Sequence, residues 1–265
     1  MPLKLCSVDF LNSAPLVWGL LHGPQRGLFD LRFEVPSVCA DLLRAGEVDI
    51  GNVPVIEYAR QGLTLLRGAG VACHGPVRSI LLISRVPFES IRTLAADTSS
   101  RTSTQLARII LARRYGAFPE LLPRPPALEP MLAEADAALI IGDPALRIDP
   151  RKGKCRVLDL GGEWVEMTGL PMVFAVWAGR QEAATAEVED SLRASCRYGL
   201  EHLEEVIVSE SAARGLPPDL SREYLTSHIV NELGHRDYQG MELYLRYAHE
   251  MGAIEDAGEE RLAVL

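Results

Sequence analysis

Through roughly its first two thirds, the chain alternates short apolar runs of strand length with segments whose apolar residues recur at helical spacing. Residues 3–10 predict a first strand, and Leu11-Asn12-Ser13-Ala14-Pro15 a turn running into a helix through Trp18 and Leu21. Residues 29–35 alternate as a second strand does. Pro36-Ser37 then opens a helix carrying Cys39, Leu42 and Leu43, and Ala45-Gly46 closes it. Residues 47–55 read as a short buried strand ending in a Gly-Asn-x-Pro loop, with Ile56, Glu57 and Tyr58 on the helix that follows. Two further strands, 63–73 and 78–84, flank the tight segment His74-Gly75-Pro76-Val77.

After Val86-Pro87 the same order begins again: a strand over 91–96, a Ser/Thr-rich stretch leading into a helix that ends at Tyr115, a strand over 121–124 and a helix over 128–133. Residues 136–145 form a buried strand ending in Gly142-Asp143-Pro144, which echoes Gly51-Asn52-Val53-Pro54. Two successive βαβ runs with matching strand ends predict two open α/β sheets whose ligand-facing loops enclose a cleft. Residues 147–159 read as a polar loop and short strand, and 161–171 as a lead into the apolar strand 172–178. From residue 181 onward the pattern is helical: 183–209 with a break near Gly199, 221–233, and 238–251. The expected fold is therefore α/β and two-lobed, with a helical C-terminal region. Lobe I comprises 1–86 plus 172–265, and lobe II, 87–171, is inserted in it.

Composition narrows the partners. The chain has 265 residues, 48% hydrophobic and 24% charged, with a formal net charge of −9, so no broad basic surface for nucleic acid is implied. A small anion remains compatible, because a few donors in a cleft hold one against an acidic background. The first ten residues lack the apolar core of a signal peptide, and no stretch approaches the roughly 20 apolar residues of a membrane span, so a cytoplasmic protein without a membrane partner is expected. Five scattered cysteines, never in a CxxC pair, read as buried free thiols. The six histidines form no HExxH or comparable ligand set, and no metal is expected.

Candidate chemistry concentrates in the stretch from Asp97 to Ser103, which precedes Leu106, Ile109, Ile110 and Leu111 on one side of a helix. Ser99, Ser100, Thr102 or Ser103 can cap that helix. The same N–H groups and dipole form a seat for a carboxylate. Both readings stand on the sequence. Asn12 is either a turn residue or an amide facing the crevice at a strand's carboxyl end. Asn52 and Asp143, at the echoed strand ends, carry the same two readings. Arg78 either holds a carboxylate or plays a structural part. Glu57 serves as a helix-start carboxylate or in catalysis, and His74 reads as structural.

Several blocks resemble the signatures of the chorismate dehydratases of the futalosine route to menaquinone, in that family's order. They are residues 7–16 (SVDFLNSAPL), 49–58 (DIGNVPVIEY), 75–79 (GPVRS), 100–103 (SRTS), 141–146 (IGDPAL) and 168–171 (TGLP). The resemblance implies a type II periplasmic-binding-protein-like fold, a hydro-lyase that converts the small dianion chorismate to 3-[(1-carboxyvinyl)oxy]benzoate, and no cofactor. Matched to the motif positions, it implies catalytic roles for Asn12 and Ser79 and substrate-binding roles for Arg78, Ser100, Arg101, Thr102 and Ser103, with Asn52 and Asp143 lining the cleft. Two other functions use the same fold: a non-catalytic carboxylate-binding protein or sensor, and the related 1,4-dihydroxy-6-naphthoate synthase. The synthase carries a His just after the second-lobe strand, where this chain has Gly142-Asp143-Pro144.

Overall fold

A computed structural model describes residues 2–255. Strands β1 (Lys4–Val8), β2 (Asp30–Glu34), β3 (Ile50–Pro54) and β4 (Thr64–Cys73) alternate with α1 (Ala14–His22), α2 (Pro36–Ala45) and α3 (Val55–Gln61). A second run follows: β5 (Ile80–Ser84), β6 (Thr93–Asp97), β7 (Glu120–Arg124), β8 (Ala137–Ile141) and β9 (Arg156–Asp159), with α4 (Thr102–Tyr115), α5 (Leu128–Glu134) and α6 (Gly142–Leu146) between them. Next come α7 (Leu160–Thr168), β10 (Met172–Gly179), α8 (Ala186–Glu201), α9 (Leu203–Arg214), α10 (Pro218–Glu223), β11 (Val230–Glu232) and α11 (His235–Glu250). No helix among the described residues is long and apolar enough to cross a membrane.

The strands form two sheets, in the orders β11-β4-β10-β3-β1-β2 and β7-β6-β8-β5-β9. Each contains the same unit. In the first, β2, β1 and β3 run parallel and β10 lies antiparallel beside β3. In the second, β7, β6 and β8 run parallel and β5 lies antiparallel beside β8. The echoed strand ends of the sequence are thus β3 and β8, equivalent positions in two sheets. β8 and β10 are buried along their whole length, as their unbroken apolar runs require. Helix α4 turns Leu106, Ile109, Ile110 and Leu111 fully inward, each worth roughly 1.5–3 kcal/mol of burial. Four of the five cysteines, Cys6, Cys39, Cys73 and Cys196, are buried free thiols.

The structure departs from expectation at four places. Ile80–Ser84, assigned above to the first lobe, pairs with both β8 and β9 of the second sheet, so the chain changes sheets at residues 74–79 rather than at 86. Residues 160–168 are a helix; its two glycines mask the pattern, and Asp159 caps it by accepting the Gly162 N–H at 3.0 Å. Residues 221–233 are not one helix. They contain a turn of π-helix over Tyr224–His228 and then β11, which pairs with β4. The Asn231 side chain fixes that strand, donating to the Gly70 carbonyl at 2.9 Å and the Asn12 carbonyl at 3.0 Å. Finally, the helical break falls at His202, not Gly199. Gly199 instead permits close helix packing, since a Cβ there would lie 2.2 Å from the Pro15 carbonyl oxygen.

Candidate active site

In an open parallel sheet whose strand order reverses, a crevice opens at the carboxyl ends of the strands on either side of the switch. Both sheets have that geometry, β2-β1-β3 and β7-β6-β8, and their crevices meet in one cleft. Asn12 and Ser13 enter it from the turn after β1, and Ser100 to Ser103 from the turn after β6. Ser79 and Ile80 enter at the start of β5, and Gly142 after β8. Val8, Phe10, Val71, Phe174 and Ala175 supply an apolar wall. Gly142 has φ +63°, and a Cβ on it would lie 2.7 Å from the Phe10 ring, so only glycine lets that ring close over the strand end.

Asn12 and Ser79 come together through a residue that sequence reading did not identify. Tyr224 is 1% exposed and donates its hydroxyl proton to Ser79 Oγ at 2.7 Å, with the Asn12 side chain close to that hydroxyl. A phenol has one proton to give, and here that proton goes to Ser79. Asn12 Oδ1 is turned the other way, accepting from Ser13 Oγ at 3.1 Å. Burial raises the Tyr224 hydroxyl far above its ordinary range, an effect its bond with Ser79 only partly offsets, and keeps it a neutral donor. No local signal marks Tyr224, which lies 145 positions from Ser79 on the π-helical turn.

The Ser/Thr stretch has the form of a helix N-terminus open to the cleft. Arg101 is the residue before α4 and makes no side-chain cap, so the first N–H groups of the helix lack a capping side chain. Asp97 shapes the turn, accepting from Ser99 Oγ at 2.6 Å and from the Ser99 N–H at 2.9 Å. Burial raises the Asp97 carboxyl; these bonds partly offset the effect. The Arg101 guanidinium is tied to Asp41 at 2.7 Å and Glu57 at 3.1 Å. Thr102 Oγ1 accepts the Ile56 N–H at 3.3 Å, and its carbonyl accepts Tyr244 Oη–H at 3.0 Å. Glu57, almost fully buried, is raised by burial, but bonds from Arg60 and Gln61 and the charge of Arg101 outweigh that and hold it below the usual carboxylate range. It anchors the turn; it does not line the cleft.

Three expected substrate ligands occupy other places. Arg78 turns away from the cleft to cap α6, donating to the carbonyls of Ala145, Leu146 and Ile148 at 3.1, 3.2 and 2.6 Å. Its backbone has φ +65°, and its N–H and that of Val77 are both held by Asp159, at 2.6 and 2.8 Å. This contorted turn is what presents Ser79. Asp143 spans the two sheets: one carboxylate oxygen accepts the Leu11 N–H at 3.0 Å, the other Arg214 Nη1 at 2.8 Å, and Arg214 also bonds Asp9 at 3.0 Å. It braces the turn carrying Asn12. Asn52 is fully buried opposite Trp177, two residue pairs along from the Pro54–Ala175 pair of the cleft floor. His74 binds Asp237 at 2.8 Å, outside the cleft.

With this geometry in hand, likeness to other proteins is informative. A family model described as Menaquinone biosynthesis matches residues 3–250. The chain is 33% identical over 235 residues to a chorismate dehydratase of Thermus thermophilus, covering 82% of this chain and 84% of that protein. It is 29% identical over 191 residues to a 1,4-dihydroxy-6-naphthoate synthase of the same organism, covering 69% and 67% of the two chains. A solved Candida albicans protein with the generic periplasmic-binding-protein fold superposes with a TM-score of 0.66 at 14% identity, covering 99% of this chain and 95% of that one, a likeness of fold alone.

Proposed function

The chain belongs to the menaquinone-biosynthesis family, and from that premise we propose that it is a chorismate dehydratase acting in the cytoplasm. The reaction is an elimination. The C3–H and C4–O bonds of chorismate break, the ring gains the double bond that makes it aromatic, and proton and hydroxide leave together as water. No oxidation state changes overall, so no redox cofactor is called for, and aromatisation supplies the driving force.

The task left to the protein is to fix a dianion in its reactive conformer and to help hydroxide depart. In this reading the α4 N-terminus, with Ser100, Thr102 and Ser103, receives one carboxylate, while Arg101, tied to Asp41 and Glu57, holds the turn in shape. Asn12 orients the substrate, and the Ser79 hydroxyl donates to the leaving C4 oxygen. The substrate's enolpyruvyl carboxylate accepts the C3 proton, which is consistent with a cleft that, among the described residues, is lined by no histidine, aspartate or glutamate. The observation that carries the reading is the meeting of Asn12, Ser79 and a donor-rich helix N-terminus in one largely apolar cleft. The more distant likeness to the naphthoate synthase, together with Gly142-Asp143-Pro144 where that enzyme has its His, favours the dehydratase.

The test is incubation of purified protein with chorismate, without added metal or nucleotide, followed by mass spectrometry and ultraviolet absorbance. The expected result is an aromatic product lighter than substrate by one molecule of water. Tight binding of chorismate with no product would overturn the assignment in favour of a binding protein.

A further inference from the structure

Resting on the dehydratase reading, we propose that Tyr224 is a positioning residue that sets the direction of the Ser79 hydroxyl, in a donor chain running from the Tyr224 hydroxyl through Ser79 Oγ into the cleft. A serine hydroxyl has one proton and two acceptor sites and rotates to suit its neighbours. At Ser79 the rotation is constrained. Tyr224 Oη–H occupies an acceptor site at 2.7 Å, so the serine's own proton is free to point elsewhere, and Ser79 lines the cleft. Each bond in such a chain polarises the next, so a phenol donating into Oγ makes the outgoing O–H the stronger donor. That donor is directed at the place where the reaction releases hydroxide.

Tyr224 itself is 1% exposed and does not line the cleft, so it acts through Ser79 and does not touch substrate. Its position is independently fixed. It begins the π-helical turn, and its carbonyl accepts the Ile229 N–H at 3.2 Å just before β11. The Asn231 side chain in β11 bonds the Asn12 carbonyl. The segment that carries Tyr224 is therefore tied, through β11, to the turn that carries Asn12. Turns of π-helix often serve to aim a functional side chain.

The experiment compares wild type, Tyr224→Phe, Ser79→Ala and the double variant in steady-state turnover of chorismate, with a melting temperature for each. Tyr224→Phe is expected to lower kcat by about tenfold or more with KM within about threefold, and to have no further effect in the Ser79→Ala background. Wild-type turnover in Tyr224→Phe, or the same loss in both backgrounds, would overturn the proposal, because a merely structural tyrosine acts independently of Ser79. If Tyr224→Phe does not fold, 3-fluorotyrosine placed at 224 keeps ring and hydroxyl. Its fluorine resonance should shift on Ser79→Ala, and an unmoved resonance overturns the chain. The same resonance is read if wild type does not turn over chorismate. In that event the enzymatic reading fails by itself, and the donor chain stands or falls on the spectrum.

Discussion

The turns after β1 and after β6 occupy the same place in two sheets of the same strand order, yet they are built for different tasks. The first is short and turns its one charged side chain, Asp9, out to Arg214. What it offers the cleft is an uncharged amide, Asn12, beside the hydroxyl pair of Tyr224 and Ser79. The second offers hydroxyls and the positive end of α4, a 14-residue helix, and is surrounded by an ionic frame of Asp41, Glu57 and Arg101. A neutral network sets proton positions without paying for charge in an apolar cleft, whereas a helix terminus is suited to receiving a negative group. The repeat supplies the geometry twice, and the side chains divide recognition from chemistry.

That division can be broken at several points. The largest effect is expected from Asn12→Ala: turnover should fall about 100-fold or more while chorismate affinity, read by calorimetry, stays within about threefold. Unchanged turnover would remove its assigned role. Arg78→Ala should show the opposite profile from that of a substrate ligand. It leaves the carbonyls of Ala145 and Leu146 at the end of α6, and of Ile148 just beyond it, without their donor and should cost roughly 2 kcal/mol in denaturant unfolding, with affinity for chorismate within about threefold. A large loss of affinity at full stability would restore the carboxylate-binding reading. The paired substitution Ser100→Ala with Ser103→Ala should weaken chorismate binding about tenfold and change kcat less, which would separate the second turn from the first.

The smallest effect concerns pH. Glu57 titrates below its ordinary range in the folded protein, so its contribution to stability is present above the unfolded carboxylate pKa and is lost as pH falls through the folded one. Glu57→Gln should lower the melting temperature near neutral pH by a few degrees and flatten its decline in acid, measured by thermal scans across that range. An identical acid profile in both proteins would show that Glu57 does not anchor the turn.

The legible parts of the molecule were those with local causes. Apolar periodicity located β1, β3, β8, β10 and α4, and the turn chemistry at Asn12 and Ser100 to Ser103 marked both cleft loops. The parts that escaped had distant causes. Arg78 sits one residue before Ser79 in a matching motif, but its positive φ sends the guanidinium to α6. Asp143 and Asn52 share an echoed motif, yet the first bridges to Arg214 and the second is sealed beneath the floor. β11 is a strand of three residues that exists because β4 offers it an edge.

What the sequence determined by itself is the order of elements, the doubled βαβ pattern and the stretches that face the ligand, because strand and helix periodicity and turn chemistry are short-range properties of the chain. What only the tertiary structure decided is which polar side chains do work and which hold the frame. Whether Arg78 meets substrate or a helix end, and whether Ser79 is a free hydroxyl or the end of a chain through Tyr224, depends on partners some 70 to 145 positions away, brought near only when β5 pairs with β8 and the segment carrying Tyr224 packs against the start of β5.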